Sequence, residues 1–153
     1  MSTSICLRVV PLFFLSILPC GATTPDEDCI NWAHRMLDDR TDACSDLCPQ
    51  AQHFDKYDYR SGLRGALASR AGLNDFLTYT GRSSIIGAGA DAQACGLVAV
   101  LNTWGDREFA SAVEAQSKRA QEQIGRLLDY AWVDQFQERF PRTYALAGHK
   151  AGD

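Results

Sequence analysis

Residues 117–140 read SKRAQEQIGRLLDYAWVDQFQERF. Ala120, Ile124, Leu127, Leu128, Ala131 and Phe136 recur at helical spacing, while Gln121, Glu122, Arg126 and Asp129 fall elsewhere on the wheel. Ser117 suits an N-cap, and Pro141 cannot continue a helix. The stretch predicts one amphipathic helix from Ser117 to Phe140, the spine of the domain. After it, Tyr144 and Leu146 pack back before the chain frays at Gly148.

The same period extends toward the N-terminus. Ala94, Leu97, Val98, Leu101 and Trp104 form one stripe of a helix from Ala90 to Trp104, which Gly105 stops. Asp106 then caps a short helix with Phe109, Ala112 and Val113 inward. Leu63, Ala66, Leu67 and Ala71 share a face over residues 60–71. Leu73–Tyr79 forms a short helix ended by Gly81. Asp42 caps a short helix through Cys44, Leu47 and Cys48. Asp26 caps another bearing Cys29, Ile30, Ala33 and Leu37. No segment alternates with period two. The expected fold is all-α: a single compact domain of about six or seven mostly antiparallel helices, stapled by two disulfides. Its divisions are a signal peptide at 1–22, a helical domain at 23–147 and a flexible tail at 148–153. Residues 23–58 form an acidic N-terminal hairpin segment.

The leader reading rests on composition. Arg8 supplies positive charge, Val9 to Pro19 is apolar apart from Ser16, and Cys20-Gly21-Ala22 provides small residues for cleavage. The apolar run is too short for the ~20 residues of a membrane-spanning helix. Pro19 stands where a lipidation signal needs a small residue, so Cys20 is not expected to carry lipid. The chain is therefore expected to be exported, periplasmic or extracellular, with no transmembrane segment.

Of six cysteines, Cys29, Cys44, Cys48 and Cys95 follow the leader. An even number in an exported chain predicts two disulfides. Cys44 and Cys48 are four apart, and a bridge between them on a helix would be strained. If residues 27–38 and 42–52 form an antiparallel hairpin, Cys29 falls nearest Cys48. The favoured pairing is therefore Cys29–Cys48 with Cys44–Cys95. The spacing lacks the paired knuckles of a zinc site, and no metal is expected.

Known catalytic patterns fit poorly. Residues 85–92, IIGAGADA, match G-x-G-x-x-A, but a dinucleotide site needs a buried strand before the glycines. Packing at a helix start explains them better, and no cofactor is expected. Gln93-Ala94-Cys95-Gly96 resembles a cysteine-protease signature with His53 upstream, but Leu97 replaces its final glycine. His34, His53 and His149 have no helical ligand spacing, and no G-x-S-x-G elbow occurs. Paired carboxylates for a hydrolase could come from Asp106, Glu108, Asp129, Asp134 and Glu138 by residue type alone. Helix surfaces and caps account for such residues better.

The charge distribution is more informative. A sequence pI of about 5.3 argues against a nucleic-acid binder. Removing residues 1–22 takes away only Arg8 and leaves 14 basic and 19 acidic side chains. Residues 23–60 hold 9 acidic and 4 basic side chains, whereas 61–153 balance at 10 and 10, so the excess is confined to the N-terminal part. Asp38, Asp39, Asp42 and Asp46 cluster at a turn, followed by Asp55 and Asp58, with Tyr57 and Tyr59 interleaved. Part of this suits helix capping. The rest suits a negative patch that steers a basic protein partner, with the tyrosines as anchors. The expected function is a non-catalytic, exported binding protein of the cell envelope, such as an inhibitor or immunity-type protein. The alternative is a small secreted hydrolase using paired carboxylates. Neither reading sets an oligomeric state.

Overall fold

A computed structural model describes residues 25–131, 133 and 135–148. Residues 1–24, which include the expected leader, Trp132, Asp134 and residues 149–153 lie outside the described residues. The described chain is all-α: α1 Pro25–Met36, α2 Leu47–Gln50 continuing into a π-helical turn Ala51–Asp55, α3 Tyr59–Ala68, α4 Arg70–Thr80, α5 Ala88–Glu114, α6 Lys118–Tyr130, α7 Phe136–Arg139 and α8 Pro141–Leu146. Asp26 lies inside α1, whose first residue is Pro25, rather than ahead of it as a cap.

The spine is α5, not the 117–140 stretch. Its run Ala92, Gln93, Ala94, Gly96, Leu97, Val98, Ala99, Val100 and Leu101 is buried on every side. Such a helix belongs at the centre of a domain. It touches α1, α2, α3, α4, α6 and α8. Gly105 kinks α5 rather than ending it. At φ 71°, ψ 169° it redirects the axis without the Cβ penalty another residue would bear. Trp104, just before the kink, donates Nε1–H to the Ala66 carbonyl of α3 at 2.7 Å.

Ser69 sets the corner between α3 and α4. Its backbone is extended, and its Oγ accepts from Gly72 N at 3.1 Å. The single helix expected over 60–71 is thereby split at an N-cap. The two helices cross closely at Gly65 and Gly72. A Cβ on Gly72 would stand 2.2 Å from the Gly65 carbonyl oxygen, closer than real atoms approach.

The 117–140 stretch begins as read: Ser117 Oγ accepts from Ala120 N at 3.3 Å, and Ala120, Ile124, Leu127 and Leu128 are buried. The helix stops at Tyr130, however. Gln135 adopts a left-handed backbone (φ 48°), which costs a non-glycine residue about 1–2 kcal/mol. The reversal buries Val133 and Phe140 and returns α8 onto α5 and α6. Their combined burial offsets the strain, at roughly 1.5–3 kcal/mol per large apolar side chain. Pro141 then starts α8 instead of ending a helix, since the first helical position needs no N–H. The cap comes from another element. Asp106 does not cap a helix of its own. Its carboxylate accepts from Thr143 N (2.8 Å) and Arg142 N (3.1 Å), satisfying the first turn of α8 from the neighbouring α5.

Both disulfides form, with the pairing corrected to Cys29–Cys95 and Cys44–Cys48. The favoured alternative assumed that α1 pairs with the second helix. Instead α1 lies along α5, which brings the Cα atoms of Cys29 and Cys95 to 4.5 Å. Cys44 precedes α2 in a turn, where its Cα is 5.3 Å from that of Cys48, within bridging range. The objection to an i, i+4 bridge applied to a regular helix, and residues 42–46 are not one.

Candidate functional site

The acidic segment divides into a turn, 38–46, and a second stretch, 55–59. The turn follows α1 and is held by α3. Arg60 donates from Nε to the Met36 carbonyl at 2.8 Å, and Arg64 reaches the Leu37 carbonyl at 3.3 Å. These guanidinium groups satisfy last-turn carbonyls of α1 and oppose the negative end of its dipole. Arg60 also pairs with Asp39 (3.3 Å). Asp38 takes both Arg40 Nε and Nη2 at 3.0 Å, a bidentate contact that holds its carboxyl below the usual range. Asp42 and Asp46 are exposed and, among the described residues, carry no ion pair or side-chain hydrogen bond. Asp46 stands at the N-cap position of α2 without capping it.

The 55–59 stretch is mostly structural. Asp55 Oδ2 accepts from Tyr79 OH (3.2 Å) and Ser84 N (3.1 Å), tying the π-helical turn to the end of α4. Asp58 caps α3, accepting from Ser61 N (3.1 Å) and Ser61 Oγ (2.8 Å), and these bonds lower its carboxyl. Tyr57 stacks flat on Tyr79, with ring centroids 3.6 Å apart at 8°. Tyr59 is a correction. It is 1% exposed and meets Phe76 and Tyr79 edge-on, so it anchors the core rather than a partner. The sequence carried the signal, because Tyr59, Leu63 and Ala66 share one helical stripe.

Burial and the nearby carboxylates Asp75 and Asp58 push the Tyr57 phenol up to about 12. Burial and Asp55 raise Tyr79 further, and burial raises Tyr59. The unfolded phenols ionise near 10. A raised folded value means that the neutral form is favoured in the fold, so the stabilisation is complete below pH 10 and fades as pH rises through 12. We expect unfolding and phenolate absorbance of this cluster to appear together in an alkaline titration monitored also by circular dichroism. Ionisation of all tyrosines near pH 10 with helicity intact would show the cluster open to water.

The carboxylates considered for hydrolysis have other work or lie apart. Asp106 caps α8. Glu108 pairs with Arg70 at 3.0 Å and with Arg107 at 3.1 Å. Glu138 is exposed on α7, Asp129 is on α6, and Asp134 is outside the described residues. Cys95 is oxidised, so it offers no thiolate. The glycine-rich 85–92 segment starts α5, and Gln50 clamps the residue before it, accepting from Ile86 N (3.1 Å) and donating to Ile86 O (3.2 Å). No cluster of three His, Cys, Asp or Glu suited to a metal occurs among the described residues.

No protein-family model, curated protein or solved structure matches the chain. Two disulfides suit an oxidising, non-cytoplasmic compartment. No helix among the described residues is long and apolar enough to cross a membrane.

Proposed function

We propose that this is an exported, non-catalytic binding protein of the cell envelope, periplasmic or extracellular, that engages a basic protein partner in the manner of an inhibitor or immunity protein. The observation that carries the reading is the 38–46 turn. It gathers four aspartates, is braced by Arg60 and the Cys44–Cys48 bridge, and leaves Asp42 and Asp46 exposed with no ion pair among the described residues. A braced turn loses little conformational freedom on binding. Asp38 and Asp39, already paired, contribute less field than their formal charge. Tyr57, half-buried, supplies aromatic surface on the 55–59 stretch, and Asp55 and Asp58 support the scaffold.

Partners captured from an envelope extract supply the ligand for kinetics. Asp42→Asn with Asp46→Asn removes two charges and no hydrogen bond, so the fold should survive. Association should slow several-fold at low salt and less at physiological salt, where charges are screened beyond about 8 Å. Unchanged association at both salts would reduce the turn to a solvated surface. Turnover of peptidoglycan or lipid by the purified protein, lost on a single carboxylate change, would establish the hydrolase instead.

A further inference from the structure

A cleft of about 350 Å³ lies between the first turns of α5 and the C-terminal half of α6, lined by Gly87, Ala90, Asp91, Arg126, Leu127 and Tyr130, with Gln123 beside them. A second hollow of about 290 Å³ shares Asp91 and Tyr130 and is floored by Ala94 and the Cys29–Cys95 bridge. Small-molecule sites commonly run from about 300 to 1,000 Å³, with a mainly apolar lining and a few convergent polar groups. None of the aspartates of the 38–46 turn lines either hollow, so the cleft is independent of the function proposed above.

The polar groups come in two opposed sets. The Asp91 carboxylate, within hydrogen-bonding reach of the Tyr130 hydroxyl, raises that phenol, and both side chains are exposed at the rim. Arg126 donates from Nη2 to Gln123 Oε1 at 2.7 Å. That bond orients the guanidinium while using one of its five N–H donors. The 27-residue α5 starts at Ala88, and Gly87 at its N-cap position provides no side-chain cap. Ala90, Leu127 and the Tyr130 ring are the apolar surfaces between these sets.

A simple anion entering here would meet Asp91, and a simple cation would meet Arg126. A zwitterion meets both with the right sign. We propose that this cleft binds an α-amino acid with an apolar side chain, its carboxylate at Arg126 and its ammonium at Asp91. The side chain lies over Ala90 and Leu127 against the Tyr130 ring.

Calorimetric titration of the full chain with L-phenylalanine and L-leucine tests this, beside N-acetyl-L-phenylalanine and L-phenylalaninamide. The free amino acids should bind saturably. Blocking either end should weaken binding by about tenfold or more, since each blocked form forfeits one charge contact. Asp91→Asn and Arg126→Gln should do the same to the free amino acids. Both positions are exposed, and thermal melts matching the wild type establish that the variants are folded. Absence of saturable binding by both amino acids overturns the proposal. Binding that is equally strong with either end blocked, or unchanged in both folded variants, also overturns it.

Discussion

Leu128→Asp is expected to cost 3–5 kcal/mol or more, enough to unfold a domain whose total stability is typically about 5–15 kcal/mol. Leu128 is 1% exposed where α6 meets α5 and α8, beside Val113, Ile124, Thr143 and Leu146. Among the described residues no lysine or arginine lines that gap, so an introduced carboxylate would be desolvated without a counter-ion from them. Two companion variants separate the causes. Leu128→Ala measures the lost contacts and cavity, at about 2–5 kcal/mol. Leu128→Asn matches aspartate in shape without its charge. Desolvation would raise the aspartate's folded pKa above its unfolded value of about 3.9. The variant should therefore be least handicapped near pH 4, and lose stability relative to Leu128→Asn as pH rises through that folded value. Urea denaturation of the three variants at pH 4 and pH 7 provides the comparison. Wild-type stability of Leu128→Asp at pH 7 would place this face of α6 in water.

Leu128 also shows how far periodicity carries. Apolar spacing of 3.6 identified the inward faces of α5 and α6, and Ser117 marked a helix start through short-range capping chemistry, whereas Gly81, though it follows α4, is right-handed and makes room for Ala120 of α6. Periodicity could not show that α5 is the central element. A helix surrounded on all sides needs no polar face, and the stripe through Ala94, Leu97 and Leu101 hid the equally buried Ala92, Gln93 and Ala99. The break after Tyr130 had no glycine or proline to announce it. Its cause is tertiary: folding back buries Phe140, and Asp106, from 35 positions upstream, caps the returning helix. Pro141 was visible, but proline serves a helix start as readily as it ends one.

The acidic segment was legible as composition and only partly as surface. Charge counting treats every aspartate alike. The fold assigns Asp58 to a cap, Asp55 to a tether, and Asp38 and Asp39 to arginines, which leaves Asp42 and Asp46 as the unpaired charges of the turn. Arg60 and Arg64 carried no sequence signal for their role, because their acceptors are backbone carbonyls of α1. The α5–α6 cleft was invisible for a related reason. Asp91 and Tyr130 are 39 positions apart, and only the antiparallel return of α6 along α5 joins them.

Replacing Cys29 and Cys95 together by alanine is expected to destabilise the domain by about 4 kcal/mol, against about 2 kcal/mol for the Cys44 and Cys48 pair, from loop-closure entropy. The first bridge closes 66 positions and ties α1 to the central helix, whereas the second closes only four. Without the first, the denatured chain recovers the freedom of that long loop, and α1 is held by its Ala33 and Met36 face, by Ile30 and Trp32 packed beside it, and by Arg60 at the Met36 carbonyl. Without the second, the turn loses its brace while Arg60 still holds the Met36 and Thr41 carbonyls. The pairing itself can be read from a non-reduced tryptic digest. Cys44 and Cys48 share the peptide 41–56, which should appear uncrosslinked and two hydrogens lighter than its reduced form. Cys95 lies in 83–107, which should be joined to the peptide ending at Arg35. Under the alternative pairing all three peptides would travel as one species. Denaturant melts of the two double variants then test the ordering. Equal losses, or a larger loss for the short bridge, would mean that native contacts around each cystine outweigh loop closure in setting the stability of this domain.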